Sequence, residues 1–332
     1  MSSLNQKLST ALSSREKRHI RRRLPISASA VHPSRDFTSN DYLSLATSPT
    51  LRTAFQSALS AAPQILGSGG SRLLVPTPAH VALESRLERF FGAEKALLFN
   101  SGFDANVAFF SAIPQPGDFV LYDEHIHASV HDGMSASRVD PSSLIKFPHN
   151  SVAALKQSLR KLLHEHEDLR DGKASAFVAV ESLYSMDGTF APLHEVVKSV
   201  EEMLPRGNGY VIVDEAHATG IYGPQGRGMV AALGLEGRVL ARLHTFGKAL
   251  AGSGGARCSP PRALNDILRI NVAAILTTEL IRDYLLNYAR PLIYTTALTY
   301  ANVIGVECAF DMLEDGSAEV VSSRFESPEI CD

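Results

Sequence analysis

The sequence predicts an α/β protein: a mostly parallel sheet with helices on both faces. Three observations carry that expectation. Short apolar runs alternate with helix-patterned stretches from about residue 95 to 250. Most of these runs end in polar or charged residues rather than in hairpin turns. Between Gly209 and Lys248, two such units place an acid, a histidine and a lysine just past strand ends. Open α/β sheets bind ligands at the carboxyl ends of their strands.

The elements follow in order. Residues 1 to 24 are basic, contain serine and are nearly free of acid, a composition shared with transit peptides. The same residues read as an amphipathic helix, with Leu4, Leu8, Leu12 and Ile20 near helical spacing and an arginine run, Arg21-Arg22-Arg23, before Pro25. In Phe37 to Leu45, Asn40 and Asp41 suit a turn or cap. Pro49 starts a helical pattern through Leu59. The cluster Gly67-Ser68-Gly69-Gly70-Ser71-Arg72 allows close backbone approach but lacks dinucleotide-binding spacing. His80 and Leu83 to Phe91 predict an amphipathic helix with Glu84 and Glu88 on its polar side. Ala96 to Phe99 predicts a buried strand, and Asn100 to Asn106 turns into a helix. The start of that helix is either attractive to phosphate or simply capped by Ser101.

Asp118 to Asp123 predicts another strand, followed by His125-Ile126-His127-Ala128-Ser129. Two histidines one residue apart suggest a metal site, but no carboxylate or cysteine set completes it, so none is expected; His125 and His131 read as incidental. Ser151 to Leu163 is helical, and the charged stretch Glu165 to Lys173 reads as a solvated helix end and loop. Ala176 to Val180 is a strand running into Glu181-Ser182-Leu183-Tyr184-Ser185-Met186-Asp187-Gly188, and Pro192 to Met203 a helix.

Gly209 to Val213 is apolar and β-branched, as a buried strand requires. Asp214 and His217 lie beyond its end. Val239-Leu240-Ala241 leads to His244-Thr245-Phe246-Gly247-Lys248. A lysine amine holds an aldehyde as a Schiff base. A carboxylate facing a pyridine nitrogen favours its protonated form, and the cationic ring then acts as an electron sink. His217 suits a hydrogen bond to that ring's phenolic oxygen. Pyridoxal 5'-phosphate is the cofactor that needs all three groups. Taken singly, Asp214 is also an ordinary helix cap and Lys248 an ordinary solvated side chain.

Beyond Gly254-Gly255-Ala256, residues 257 to 272 read as an interruption marked by Pro260-Pro261. A strand and helix follow from Ala274 to Glu279, then Arg290 to Leu298, a helical Ala301 to Leu313, and an acidic, serine-rich tail. The 332 residues, 45 % of them hydrophobic, suffice for one large domain and a smaller one. A net charge of −3 argues against nucleic acid, and no apolar run approaches the ~20 residues that span a bilayer. Cys258, Cys308 and Cys331 are too few for a disulfide framework. A cytoplasmic location is expected, with peroxisome and mitochondrion as alternatives; the ending Ile330-Cys331-Asp332 is no peroxisomal signal.

Asp214-Glu215-Ala216-His217-Ala218-Thr219-Gly220 with Gly226-Arg227-Gly228, together with Thr245-Phe246-Gly247-Lys248, resembles the α-oxoamine synthases. The likeness covers roughly residues 1 to 300 apart from the interruption, and includes His127-Ala128-Ser129 and Ser185-Met186-Asp187-Gly188. It implies a fold-type I PLP-dependent transferase with a mostly parallel seven-stranded-type sheet. Its implied domains are an N-terminal helix and arm over 1–38, a PLP-binding large domain over 39–289 with an insertion near 257–272, and the start of a truncated C-terminal domain over 290–332.

The resemblance also implies roles. Lys248, His127, Asp214 and His217 would be catalytic. Lys248 would carry the cofactor, Asp214 face its ring nitrogen and His127 stack on the ring. His217 and Ser185 would hold the ring oxygen, while Gly102, Phe103 and Thr245 hold the phosphate. Thr295 and Thr296 would reach the neighbouring subunit's phosphate in a homodimer with shared sites. Arg21 would help bind the acyl substrate. Members of the family join an amino acid to an acyl thioester. The pattern here is nearest those joining L-alanine to pimeloyl-CoA, or a carrier thioester, in biotin biosynthesis. The aminoketobutyrate-ligase and 5-aminolevulinate-synthase types share the motifs; the serine palmitoyltransferase type is disfavoured because no membrane anchor is visible. The family's further C-terminal part holds an arginine for the amino-acid carboxylate, and no residue here takes that role. An inactive partner subunit is therefore the rival expectation.

Overall fold

The computed structural model describes residues 2–24, 38–251 and 272–318. These divide into two units, taken separately. In the first, Ser3–Lys17 is a helix whose N-terminus is capped by Ser2, which accepts from the Asn5 N–H. Leu4, Leu8 and Leu12 form the expected stripe, yet all are exposed within this unit. Glu16 accepts from both Arg21 and Arg23.

The second unit is built on seven strands: β1 (Lys95–Phe99), β2 (Phe119–Asp123), β3 (Leu144–Phe147), β4 (Ala176–Glu181), β5 (Gly209–Asp214), β6 (Ala241–Thr245) and β7 (Ala273–Thr277). Their order in the sheet is β1-β7-β6-β5-β4-β2-β3. β7 runs antiparallel to both neighbours, and every other pair is parallel. The mostly parallel sheet is thus present. Alternate residues face opposite ways. Ile212, Leu97 and Phe99 pack with the helix Gly102–Ala112. Val211 and Val213 pack on the other face with the helices Val152–Glu165 and Leu193–Met203.

Four features depart from the sequence expectations. β3 has no clear strand pattern, because only Phe147 of its four residues is buried. β6 begins at Ala241, where the apolar run ends, and carries two polar side chains into the interior. Arg242 there donates to the Phe91 carbonyl at 3.1 Å, and His244 Nδ1 bonds the Thr219 hydroxyl at 2.9 Å. Glu84 does not lie on a polar face: it is 3 % exposed, pairs with Arg72 and accepts from the Leu98 N–H at 2.8 Å. The helix Pro78–Phe91 turns this carboxylate towards β1, where a cation and a backbone donor satisfy it. Finally, residues 290–318 join the main unit instead of starting another. Phe310, on the helix Tyr300–Glu314, packs among Phe90, Phe91 and Phe246.

The expected insertion lies outside the described residues except for Val272, as do Pro25 and the tail beyond 318. Among the described residues, no helix is long and apolar enough to cross a membrane.

Candidate active site

Four parallel strands end at one cavity of about 250 Å³. β5 delivers Asp214, with His217 in the turn beyond; β6 delivers Thr245, with Lys248 three residues on; β4 delivers Glu181; and the loop after β2 delivers His127. The helix Gly102–Ala112 points its first turn into the same space, with Gly102 and Phe103 in the wall. This is where ligands bind in open α/β sheets, because loops diverge there while the strands hold their roots in register. A larger cleft elsewhere, lined by Arg86, Arg89, Arg227 and Glu314, lacks any such convergence of base, acid and amine.

Each group is held. Asp214 accepts from Asn106 Nδ2 at 2.8 Å and from the Ala216 N–H at 2.9 Å. Asn106 also donates to Ser129 Oγ at 3.0 Å, and that hydroxyl lies 2.7 Å from His127 Nδ1. With Asn106 donating to it, Ser129 gives its proton to Nδ1, which leaves the His127 hydrogen on Nε2. Lys248 Nζ lies 2.9 Å from His217 Nε2, and His217 Nδ1 lies 2.8 Å from Tyr42 Oη. Tyr42 donates in turn to Asn40 Oδ1 at 3.1 Å. The chain of donors therefore runs from Lys248 through His217 and Tyr42 to Asn40.

The electrostatics fit proton transfer. Burial lowers the Lys248 amine below an ordinary lysine, an effect opposed by Asp214 and Glu181. Burial and then the Lys248 charge push His217 down to about 4, so it stays neutral near pH 7 and can accept from the ammonium. Burial, reinforced by Asp214, pushes the Glu181 carboxyl up to about 8. Folding thus favours protonated Glu181. Its stabilisation is full below an ordinary glutamate's 4.5 and is lost as pH rises towards about 8. The cofactor-free Glu181→Gln variant is therefore expected to melt above the parent at pH 8, with the gap narrowing towards pH 5. Parallel melting curves across that range would refute it.

The residues present fit pyridoxal 5'-phosphate. The first N–H groups of a helix have no partners within it and attract phosphate. A Cβ at Gly102 would collide with Thr245 Cγ2, so only glycine lets the helix start sit against Thr245. Asp214, a buried anion with two of its lone pairs satisfied, suits a cationic ring nitrogen.

Not every predicted residue arrives here. Lys248, Asp214, His217, His127, Gly102, Phe103 and Thr245 share the cavity. Ser185 is exposed and lies outside its wall. Its neighbour Ser182 is the buried serine of that loop, donating to Glu215 at 2.7 Å. Thr296 is exposed, and its carbonyl accepts from Asn100 at 3.0 Å. Arg21 belongs to the other unit, bonded to Glu16 at 3.3 Å. Asn106, Ser129, Tyr42 and Glu181 were not singled out from the sequence. For Glu181 a signal existed: β4 and β5 end in register, Glu181 opposite Asp214, so two acids meet at the ligand end of the sheet.

The family model described as aminotransferase class I and II matches residues 35–317. The chain belongs to that family. Within it, an 8-amino-7-oxononanoate synthase from Emericella nidulans is 47 % identical over 97 % of this chain and 73 % of its own length. The aminoacyl transferase sphA of Aspergillus fumigatus is 40 % identical over 86 % of this chain. This chain spans 57 % of the length of sphA. Among solved structures, a Sphingomonas wittichii serine palmitoyltransferase superposes with a TM-score of 0.68 at 27 % identity, covering 83 % of this chain and 60 % of that one. An 8-amino-7-oxononanoate synthase from Francisella tularensis gives 0.60 at 26 %, covering 84 % and 69 %. Similar serine palmitoyltransferase structures contain PLP. The fold is that of the fold-type I PLP-dependent transferases, and the family's acyltransferases are PLP-dependent enzymes.

Proposed function

We propose that this chain condenses L-alanine with pimeloyl-CoA, or the corresponding carrier thioester, releasing carbon dioxide and giving 8-amino-7-oxononanoate for biotin biosynthesis. The observation carrying this reading is a buried lysine amine bonded to a neutral histidine, in one cavity with an Asp-lined floor and a helix N-terminus. The 47 % identity to the Emericella enzyme supports this choice of substrates.

Pyridoxal 5'-phosphate, when bound, supplies an aldehyde that links to amines and a protonated ring that withdraws electrons. The chain's own residues do the rest. Asp214, held by Asn106, would keep a proton on the ring nitrogen. Gly102, Phe103 and Thr245 would hold the phosphate. His127, oriented by Ser129, would stack on the ring. His217 would hydrogen-bond the ring oxygen, and it steadies the Lys248 amine. Lys248 Nζ, with its lowered basicity, takes the proton from the substrate α-carbon. Two copies of the chain would share their sites, with Thr296 exposed for contact with a partner's phosphate; Arg21 and Ser185 would approach acyl chain and cofactor in the loaded enzyme.

The likeness to sphA and to serine palmitoyltransferases favours a second reading, a longer acyl thioester. Turnover of the PLP-loaded chain with alanine, glycine and serine against pimeloyl-, acetyl-, succinyl- and palmitoyl-CoA separates the two. Alanine with pimeloyl-CoA is expected to lead by at least about tenfold in kcat/KM, the discrimination typical of a shaped apolar pocket. Preference for palmitoyl-CoA would replace the first reading with the second.

A further inference from the structure

Three loops at the ligand end of the sheet bring together His125, His149 and Asp187, residues 24 and 38 positions apart in the chain and none of them in the wall of the Lys248 cavity. We propose that they form a binding site for a divalent cation of the zinc class, held by two imidazoles and one carboxylate.

The geometry is that of a ligand triangle. One donor atom from each residue lies within 4.8 Å of the others. Asp187 Oδ2 is 3.6 Å from His125 Nδ1 and 3.5 Å from His149 Nε2. A point equidistant from corners so spaced lies about 2.0–2.4 Å from each, which spans the bond lengths of zinc to imidazole nitrogen and carboxylate oxygen. The three ligands leave further positions for water.

The surroundings prepare the donors. Asp123, fully buried at the end of β2, accepts from His149 Nδ1 at 2.8 Å, from the His125 N–H at 2.9 Å and from the Asn150 N–H at 2.8 Å. A carboxylate on Nδ1 fixes the tautomer that presents the Nε2 lone pair outwards, as in metal-bound histidines. Asp187 is oriented likewise. Its Oδ1 accepts from the N–H and hydroxyl of Thr189, at 3.1 and 2.8 Å, which turns Oδ2 to the imidazoles.

The Thr189 hydroxyl also lies 2.8 Å from His149 Nε2. The Asn150 amide donates to the same nitrogen at 3.1 Å, and an ion would take the place of these donors. The carboxylates of Asp123 and Asp187 favour a positive centre among these atoms. The rings of His125 and His149 stack at 4.1 Å with planes 22° apart, so His125 turns on coordination; it is exposed enough to do so. An ion here would tie together the loops after β2, β3 and β4, which carry His127 and Ser185.

The test uses the untagged full chain, stripped of metal with a chelator and titrated with Co²⁺. A visible d–d band saturating at one ion per chain, and lost on adding Zn²⁺, is expected. His125→Ala and Asp187→Asn change exposed side chains, so their circular dichroism should match the parent. Each should weaken Co²⁺ binding by more than the roughly 10–100-fold that loss of an outer-shell partner costs. No d–d band, or a band unchanged in both variants, overturns the proposal. So does a His149 that proves cationic in the metal-free chain and stays so with Co²⁺ present, which would make the positive centre a proton only. None of these readouts depends on the activity of the PLP-loaded enzyme.

Discussion

Lys248→Ala is expected to fold, to acquire no visible absorption band with pyridoxal 5'-phosphate, and to lose turnover on the order of 10²–10⁴-fold or more. Lys248 is the amine in the cavity wall. Burial lowers its basicity, which raises the fraction of neutral nucleophile at pH 7, while Asp214 and Glu181 restrain that shift. Alanine removes both the group proposed to attach the aldehyde and the proposed base for the α-proton. It should not unfold the chain, since a buried ammonium is costly and its loss relieves the site. A spectrum of the purified variant, with and without alanine, and a melting curve check both halves. A yellow variant indistinguishable from the parent would remove Lys248 from the chemistry.

The second large effect concerns stability. Arg72→Ala should cost about 3–5 kcal/mol, because it strands a carboxylate in the interior. Glu84 is 3 % exposed and faces the Arg72 guanidinium through both oxygens, one pair at 2.9 Å. It also accepts from the Leu98 N–H in β1, so it cannot turn out to water without breaking a strand-end bond. Adding Glu84→Gln to Arg72→Ala removes the uncompensated charge while keeping an acceptor for Leu98. The double variant should therefore recover much of the loss. Urea unfolding of the three chains measures this; a double variant less stable than Arg72→Ala alone would show that the pair is not coupled as the geometry requires.

Much of the architecture was legible because its signals are local. The run Gly209 to Val213 is apolar enough to be buried on both faces, and strand β5 covers Gly209–Asp214. The helix at Gly102 follows from a serine cap and the residues after it. β3 and β6 were harder for the same reason in reverse. β3 lies at the sheet edge, where half-exposed residues keep no clean alternation. β6 buries Arg242 and His244, whose partners, the Phe91 carbonyl and the Thr219 hydroxyl, are distant in sequence. A charged residue reads as exposed until its partner is known.

The proposed catalytic residues divide in the same way. Lys248, Asp214 and His217 stand in short motifs whose residue types suit the proposed chemistry, and the resemblance those motifs carry pointed to the PLP-dependent family. The hydrogen bonds that tune them join residues far apart: Asn106 to Asp214, Asn106 to the Ser129 that orients His127, Tyr42 to His217. So do the placement of Ser185 outside the cavity and the meeting of His125 with His149 and Asp187. Chemistry belongs to residue types and is written locally. Basicity, orientation and partnership depend on distance and burial, and these exist only once the sheet has brought its strand ends together.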